Sequence, residues 1–259
     1  MRFFSYAPVD PSSPIVLEPF GVYHGAAVAF LAAAAVLLIL FRKRLREPGL
    51  ERRVLGIATI VAVAMEVTLH VCECFSIPFH EFLRSLIPLE LCAITLWMAV
   101  ALCLTKRKAI FELLYFWAVG AVASLVFAND DGAGPDRFRY YQYFGTHGYT
   151  VLVIVYFAVV RGYRVTSGSL VRAVGLLVAL SLGVRALDVV FAAPPWEFNY
   201  MYLLRPPEVS TPLDSFGEGW GYYGAFAVLA AALLFLVWLP WGLARLIRGK
   251  ANPRVAAAR

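Results

Sequence analysis

Apolar residues in this chain neither alternate with polar ones at a period of two nor mark a single stripe of a 3.6-residue helix. They fall in long, nearly unbroken blocks, divided by short charged or Pro/Gly-rich stretches. A bilayer-spanning helix needs about 20 mostly apolar residues. Seven blocks reach or approach that length, at 20–41, 54–75, 85–105, 109–128, 146–163, 170–192 and 221–247. The fifth is the weakest, because it is short and has a histidine at its start. The pattern predicts an all-α fold: a polytopic membrane helical bundle of seven transmembrane helices, forming one integral membrane domain over residues 1–259. The residues before the first block read as an exposed tail. They lack the short apolar run and small-residue cleavage site of a signal peptide.

Composition agrees with the pattern. The hydrophobic fraction is 61% and the charged fraction 15%, against about 45–50% and about 25% in soluble domains. Mean hydropathy is +0.72. One soluble core cannot hold that surplus, which excludes a soluble enzyme or a disordered chain. The net charge of +6 acquires its meaning from its distribution. Seventeen Lys and Arg fall in the segments at one end of the spans and five at the other, with Arg185 inside a span. The positive-inside rule then sets the N-terminus outside and the C-terminus in the cytoplasm. The acids lie mainly in the outer segments, with only Glu47 and Glu51 in the inner ones. The basic clusters abut apolar spans and mostly lack interleaved aromatics, so no nucleic-acid partner is expected. Four cysteines in a chain of this length do not make a disulfide scaffold.

Ionisable residues inside a membrane are costly and mark function by default. Here they are Glu66 and His70 in the second block, Glu90 beside Cys92 in the third, Glu112 in the fourth, His147 opening the fifth, and Arg185 with Asp188 in the sixth. With the span directions above, all but Glu112 fall in outer halves, which predicts a polar cavity there. Glu66 and His70, at i and i+4, share a helix face. Arg185 and Asp188, at i and i+3, are expected to neutralise each other. Glu90 and Cys92 lie about 200° apart on a regular helix, so they share a site only if Pro88 distorts the turn. A cysteine in such a helix is either a small inert hydrophobe or a nucleophile. Cys72 and Cys74 have no second pair to complete a tetrahedral site, and no metal or other cofactor is expected. The long segment 193–220, rich in Pro, Gly and aromatics, suggests a functional loop or lid.

No nucleophile elbow, metalloprotease helix, P-loop or dinucleotide fingerprint occurs. Three separated motifs do stand in order: IPLELC (87–92), RYYQYFGTHG (139–148) and NYMYLLRPPE…TPLDSFGEGWGYY (199–223). In order and spacing the chain resembles the YwaF-like bacterial integral membrane proteins, which are similar to the eukaryotic transmembrane protein 164 family. Several bacterial members read Pro-Leu-His-Leu-Cys where this chain has Pro-Leu-Glu-Leu-Cys, so Glu90 is a departure. The resemblance implies a protein of the bacterial cytoplasmic membrane. It also implies an acyltransferase that moves fatty acyl chains between membrane phospholipids through a cysteine thioester. Cys92 matches the nucleophile and His147 the histidine. Glu66, His70, Glu90 or Asp188 would support or orient the base, and Asn199, Tyr200 and Arg205 would hold a lipid phosphate or an oxyanion. The alternative is a non-enzymatic transporter or receptor-like protein whose outward-facing cavity binds a polar ligand. The sequence does not fix the oligomeric state.

Overall fold

The computed structural model describes residues 3–5, 15–128, 132–207, 212–217 and 219–251. Their regular structure is helical apart from one isolated antiparallel bridge, Val16 to Ala133. In chain order the helices are α1 (Val22–Leu40), α2 (Pro48–Ser76), α3 (Phe79–Leu86), α4 (Leu91–Thr105), α5 (Lys108–Trp117), α6 (Val119–Val126), α7 (Phe138–Val159), α8 (Ser167–Val190) and α9 (Gly219–Ala251), with short 3-10 turns between some of them. Of the charges counted above, Arg2, Arg254 and Arg259 lie outside the described residues. So do 129–131 of the acidic loop and 208–211 and 218 of the long segment.

Five stretches are long and apolar enough to cross a bilayer: α1, α2, the α5–α6 run Lys108–Val126, α8, and Gly219–Arg245 of α9. The pair α3 and α4 passes the same test together, bent by 48°, which makes six. The chain is an integral membrane protein.

The fifth predicted block differs most from expectation. Its helix, α7, begins at Phe138 rather than at residue 146 and runs for 22 residues, about 33 Å. It lacks the apolar content of the others because it is the central helix. It packs on α1, α2, α4, α5 and α6, and buries Tyr140, Gln142, Thr146, Thr150 and Tyr156. A helix ringed by helices meets protein instead of lipid, so its polar side chains find partners on neighbours. Gly148 lets α1 come close, since a Cβ there would stand 2.3 Å from Leu31. α1 is the opposite case. His24 is its only buried residue. The His24 Nδ1 accepts the Phe20 N–H at 2.7 Å and its Nε2 donates to the Leu125 carbonyl at 2.7 Å. That histidine therefore ties the start of α1 to the end of α6.

The third predicted block, 85–105, is broken. Pro88 has no N–H to donate, and the chain from Ile87 to Glu90 leaves the helical path before α4 restarts at Leu91. Glu90 is the residue capping α4, with extended backbone (φ −67°, ψ 137°). The helical angle between Glu90 and Cys92 therefore does not apply, and the two can face one space.

The N-terminal segment is not a free tail in its described part. Leu17 is buried against Ala128, Tyr140, Tyr143 and Phe144. Its N–H donates to the Gly132 carbonyl at 3.0 Å, and the Phe138 N–H donates to Phe3 at 2.7 Å. Phe3 and Phe4 pack on the Phe138 ring.

The two ends of the bundle differ. At the end bearing residues 42–53, 106–108 and 161–172, an apolar core that includes Leu102, Phe111, Phe116 and Phe157 closes the interior. The buried acids there are paired. Glu51 receives Arg161 through two bonds of 2.6 Å, and Glu112 receives Arg172 at 2.6 Å. The other end holds an open space.

Candidate functional site

That space is a cavity of about 790 Å³. Three sources build its wall. α2 contributes Glu66, His70 and Glu73 at i, i+4 and i+7, one face of one helix. α7 contributes Arg139, Gln142, Thr146 and His147, also on one face. The third source is the α3–α4 break with Glu90, leading into Cys92 in the first turn of α4, and the chain around Asn199 to Pro207. Irregular backbone at membrane depth is tolerated where it lines such a cavity.

A continuous polar chain runs along the wall. Arg139 Nη1 donates to Gln142 Oε1 at 2.7 Å, and Gln142 Nε2 donates to Glu66 Oε2 at 2.9 Å. His70 Nε2 stands 3.7 Å from Glu66 Oε1. Its Nδ1 donates to Glu73 Oε2 at 3.0 Å, which also accepts the Ser85 hydroxyl at 2.8 Å. The sequence pattern singles out Glu66 and His70 but not Glu73. The i, i+4, i+7 spacing was the available signal. Arg139 and Gln142 were missed because the fifth span was started too late.

Cys92 is half-buried and lines the cavity. His147 lines it as well, from the middle of α7 and not from its start. Its Nδ1 lies 2.7 Å from the Tyr143 carbonyl. A carbonyl only accepts, so Nδ1 carries a proton, and in the neutral ring Nε2 is the nitrogen with the lone pair. Among the described residues no hydrogen bond joins Cys92 to His147. Cys103 is buried in the apolar core, where the Tyr149 hydroxyl donates to its Sγ at 3.4 Å.

The remaining candidates divide. Glu90 accepts the Met201 N–H at 2.9 Å, and Asp188 accepts the Tyr200 N–H at 3.2 Å. Two acids from α8 and the α3–α4 break thus anchor successive amides of a turn in which Met201 and Tyr202 have φ of 54° and 55°. Asp188 is fully buried and does not line the cavity. Its expected partner lies elsewhere: Arg185 donates to the Leu203 carbonyl and stacks on the Trp220 and Tyr223 rings. Arg185 and Asp188 make no ion pair, and Asp188 Oδ2 and Arg185 Nε have no hydrogen-bond partner among the described residues.

Asn199 lines the cavity, but its side chain is engaged in the turn. It accepts the Leu204 and Arg205 N–H groups at 3.0 and 3.3 Å and donates to the Arg205 carbonyl at 3.0 Å. The Tyr200 hydroxyl donates to the Arg84 carbonyl at 2.6 Å. Burial pushes that phenol up to about 12, with the Glu90 carboxylate adding to the shift, so it stays a neutral donor. The guanidiniums of Arg84 and Arg205 line the cavity with no ion pair among the described residues. Arg84 was counted in the sequence only as an outer charge.

Residues 19–239 match the sequence model of the TMEM164 family. No curated protein and no solved structure matches the chain.

Proposed function

The chain belongs to the TMEM164 family, and from that membership and the geometry of the cavity we propose that it is an intramembrane acyltransferase acting on phospholipids through a Cys92 thioester. The observation that carries this reading is that Cys92 and His147, whose Nδ1 is engaged by the Tyr143 carbonyl so that Nε2 is the nitrogen left to act as base, line one cavity together with Arg84 and Arg205, which make no ion pair among the described residues. A thiol is a weak nucleophile until a base removes its proton. In the proposed first step, Cys92 Sγ attacks the ester carbonyl carbon of a donor phospholipid. The thiol proton passes to His147 Nε2. The bond between the acyl carbon and the ester oxygen then breaks, and His147 Nε2 passes the proton to the lysophospholipid alkoxide as it leaves. In the second step a lysophospholipid hydroxyl attacks the thioester, gives its proton to His147, and restores the thiol. Arg84 and Arg205 hold the substrate phosphate, and the acyl chains lie among the apolar helices. Substrate closes the gap between Cys92 and His147, since catalytic hydrogen bonds are often long before substrate binds.

The topology that goes with this reading counts α1, α2, the bent α3–α4 pair, the α5–α6 run, α7, α8 and α9 as seven spans. The Lys/Arg distribution then puts the N-terminus and the cavity outside and the C-terminus in the cytoplasm of a bacterial cell. Accessibility tags within 42–53 should report the cytoplasm and tags within 193–207 the exterior. Both on one side would reject the topology.

The chemistry is tested with purified protein and phospholipid. A hydroxylamine-sensitive acyl adduct should form, vanish in Cys92→Ala, and persist in Cys103→Ala. His147→Ala should slow its formation by about 10²–10⁴-fold, in protein shown to elute as a folded species. An adduct that survives in Cys92→Ala rejects the mechanism. The missing Cys92–His147 hydrogen bond favours a second reading, a transporter or receptor-like bundle that holds a polar ligand in the same cavity. Absence of any adduct with any phospholipid would leave that reading as the better one.

A further inference from the structure

A second cavity, of about 510 Å³, opens at the opposite, basic end of the bundle. Arg42 and Arg46 from the α1–α2 connection, Ala158 and Val159 from the last turn of α7, Arg164, and Trp241 of α9 line it. It thus holds three guanidiniums and no carboxylate.

Two of the three are held in place. Arg46 Nε donates to the Val160 carbonyl at 2.8 Å. Arg164 Nη1 donates to the Ala158 and Tyr163 carbonyls at 2.6 and 2.8 Å, and its guanidinium carbon stands 5.0 Å from the Trp241 ring centroid. The bonds to Ala158 and Val160 satisfy carbonyls at the end of α7, and each arginine uses one nitrogen for its bonds, so its other N–H donors are left over. The Arg42 guanidinium makes no hydrogen bond or ion pair among the described residues, so capping does not account for it. The buried acids at this end are already taken, Glu51 by Arg161 at 2.6 Å and Lys106 at 3.4 Å, and Glu112 by Arg172 at 2.6 Å. Three like charges gathered without an acid repel one another and call for a counter-anion.

The surroundings indicate which anion. Leu40 and Phe41, immediately before Arg42, are 69% and 52% exposed, and Leu243 and Ile247 of α9 are 49% and 69% exposed. An anion in this cavity would carry apolar chains against lipid-facing surface, while a guanidinium fork matches phosphate oxygens. Basic pockets between membrane helices recognise lipid headgroups in this way. We propose that the cavity lined by Arg42, Arg46, Arg164 and Trp241 binds the phosphate headgroup of an anionic phospholipid. The site is separate from the cavity of Cys92 and does not depend on acyl transfer.

Native mass spectrometry of the detergent-solubilised protein, with equal phosphatidylglycerol and phosphatidylcholine, tests the proposal. The natural sequence should retain phosphatidylglycerol in preference. Arg42→Gln should lower that preference by about tenfold, equivalent to about 1.4 kcal/mol. The triple variant Arg42→Gln/Arg46→Gln/Arg164→Gln should abolish it. The control Arg52→Gln/Arg53→Gln, on exposed arginines of the same end, should keep it. If the triple variant fails to fold, Arg42→Gln decides, because the Arg42 side chain makes no bond that holds the fold among the described residues. An unchanged preference in Arg42→Gln would overturn the proposal, and so would an equal loss in the Arg52/Arg53 control. A last arm adds inorganic phosphate to lipid-stripped protein. Thermal stabilisation as large as that given by phosphatidylglycerol would overturn the lipid assignment in favour of a soluble anion.

Discussion

The Gln142 amide donates to the Glu66 carboxylate across 2.9 Å, joining α7 to α2 at the cavity wall. Glu66 is 7% exposed and Gln142 4%, so neither group has water as a ready substitute. Gln142→Leu should therefore destabilise by about 1–3 kcal/mol, the usual result of leaving a buried polar group one bond short. The loss would be read as a lowered melting temperature in detergent. Glu66→Leu/Gln142→Leu should lose less than the sum of the two single changes, because it removes both partners together. Strict additivity would show that the contact contributes nothing.

The cysteines offer a chemical readout of the cavity. In a Cys72→Ser/Cys74→Ser background, a maleimide should modify Cys92 in the folded protein, because its side chain borders open space. Cys103, 7% exposed in the apolar core, should react more slowly by at least about tenfold, a factor that needs only about 1.4 kcal/mol of local opening. Unfolding in strong denaturant should equalise the rates. Equal rates before unfolding would mean that the core around Cys103 is open.

Much of the bundle was legible because lipid-facing helices announce themselves by composition. α1, α8 and α9 face the membrane along most of their length, and their blocks stand out in the sequence. α7 was misread at its start for the converse reason. Its first turns, with Arg139, Gln142 and Tyr143, are polar because they meet other helices and the cavity, so no hydropathy criterion finds them. Glu66, His70, Glu90, Cys92 and His147 were recognisable as polar residues at one depth, and one cavity does collect them. The Arg185–Asp188 pairing failed because helical spacing fixes only which side chains are neighbours on one helix. Here the turn at 199–205 offers Asp188 an amide and Arg185 a carbonyl, and those contacts replace the pair.

Gly134 controls how the N-terminal segment lies over the cavity. A Cβ there would stand 2.2 Å from the Ile15 carbonyl oxygen. Backbone cannot yield as a side-chain tip can, so Gly134→Ala should displace residues 15–17 and break the Val16–Ala133 bridge. Leu17, which lines the cavity, would move with them. Limited proteolysis should then cut near residues 15–20 faster than in the natural sequence, while the helical circular dichroism stays the same. Unchanged cleavage would mean that this segment is not held where Gly134 meets it.

Glu90 separates a structural role from a chemical one. Its Oε2 accepts the Met201 N–H, and Met201 lies in left-handed backbone that a non-glycine residue keeps only when its surroundings hold it there. Glu90→Gln preserves an acceptor oxygen in the same place, so the turn should remain. Glu90→Ala removes the acceptor and leaves a buried amide without a partner, a penalty of about 1–3 kcal/mol. Hydrogen exchange at the Met201 amide measures this directly. Exchange should accelerate in Glu90→Ala, by about tenfold for each 1.4 kcal/mol lost, and stay near the natural rate in Glu90→Gln. If acyl transfer survives in Glu90→Gln but falls in Glu90→Ala in step with that exchange, Glu90 acts by positioning the 199–205 turn. A fall in Glu90→Gln with the amide still protected would instead assign the carboxylate a part in the chemistry of Cys92 and His147.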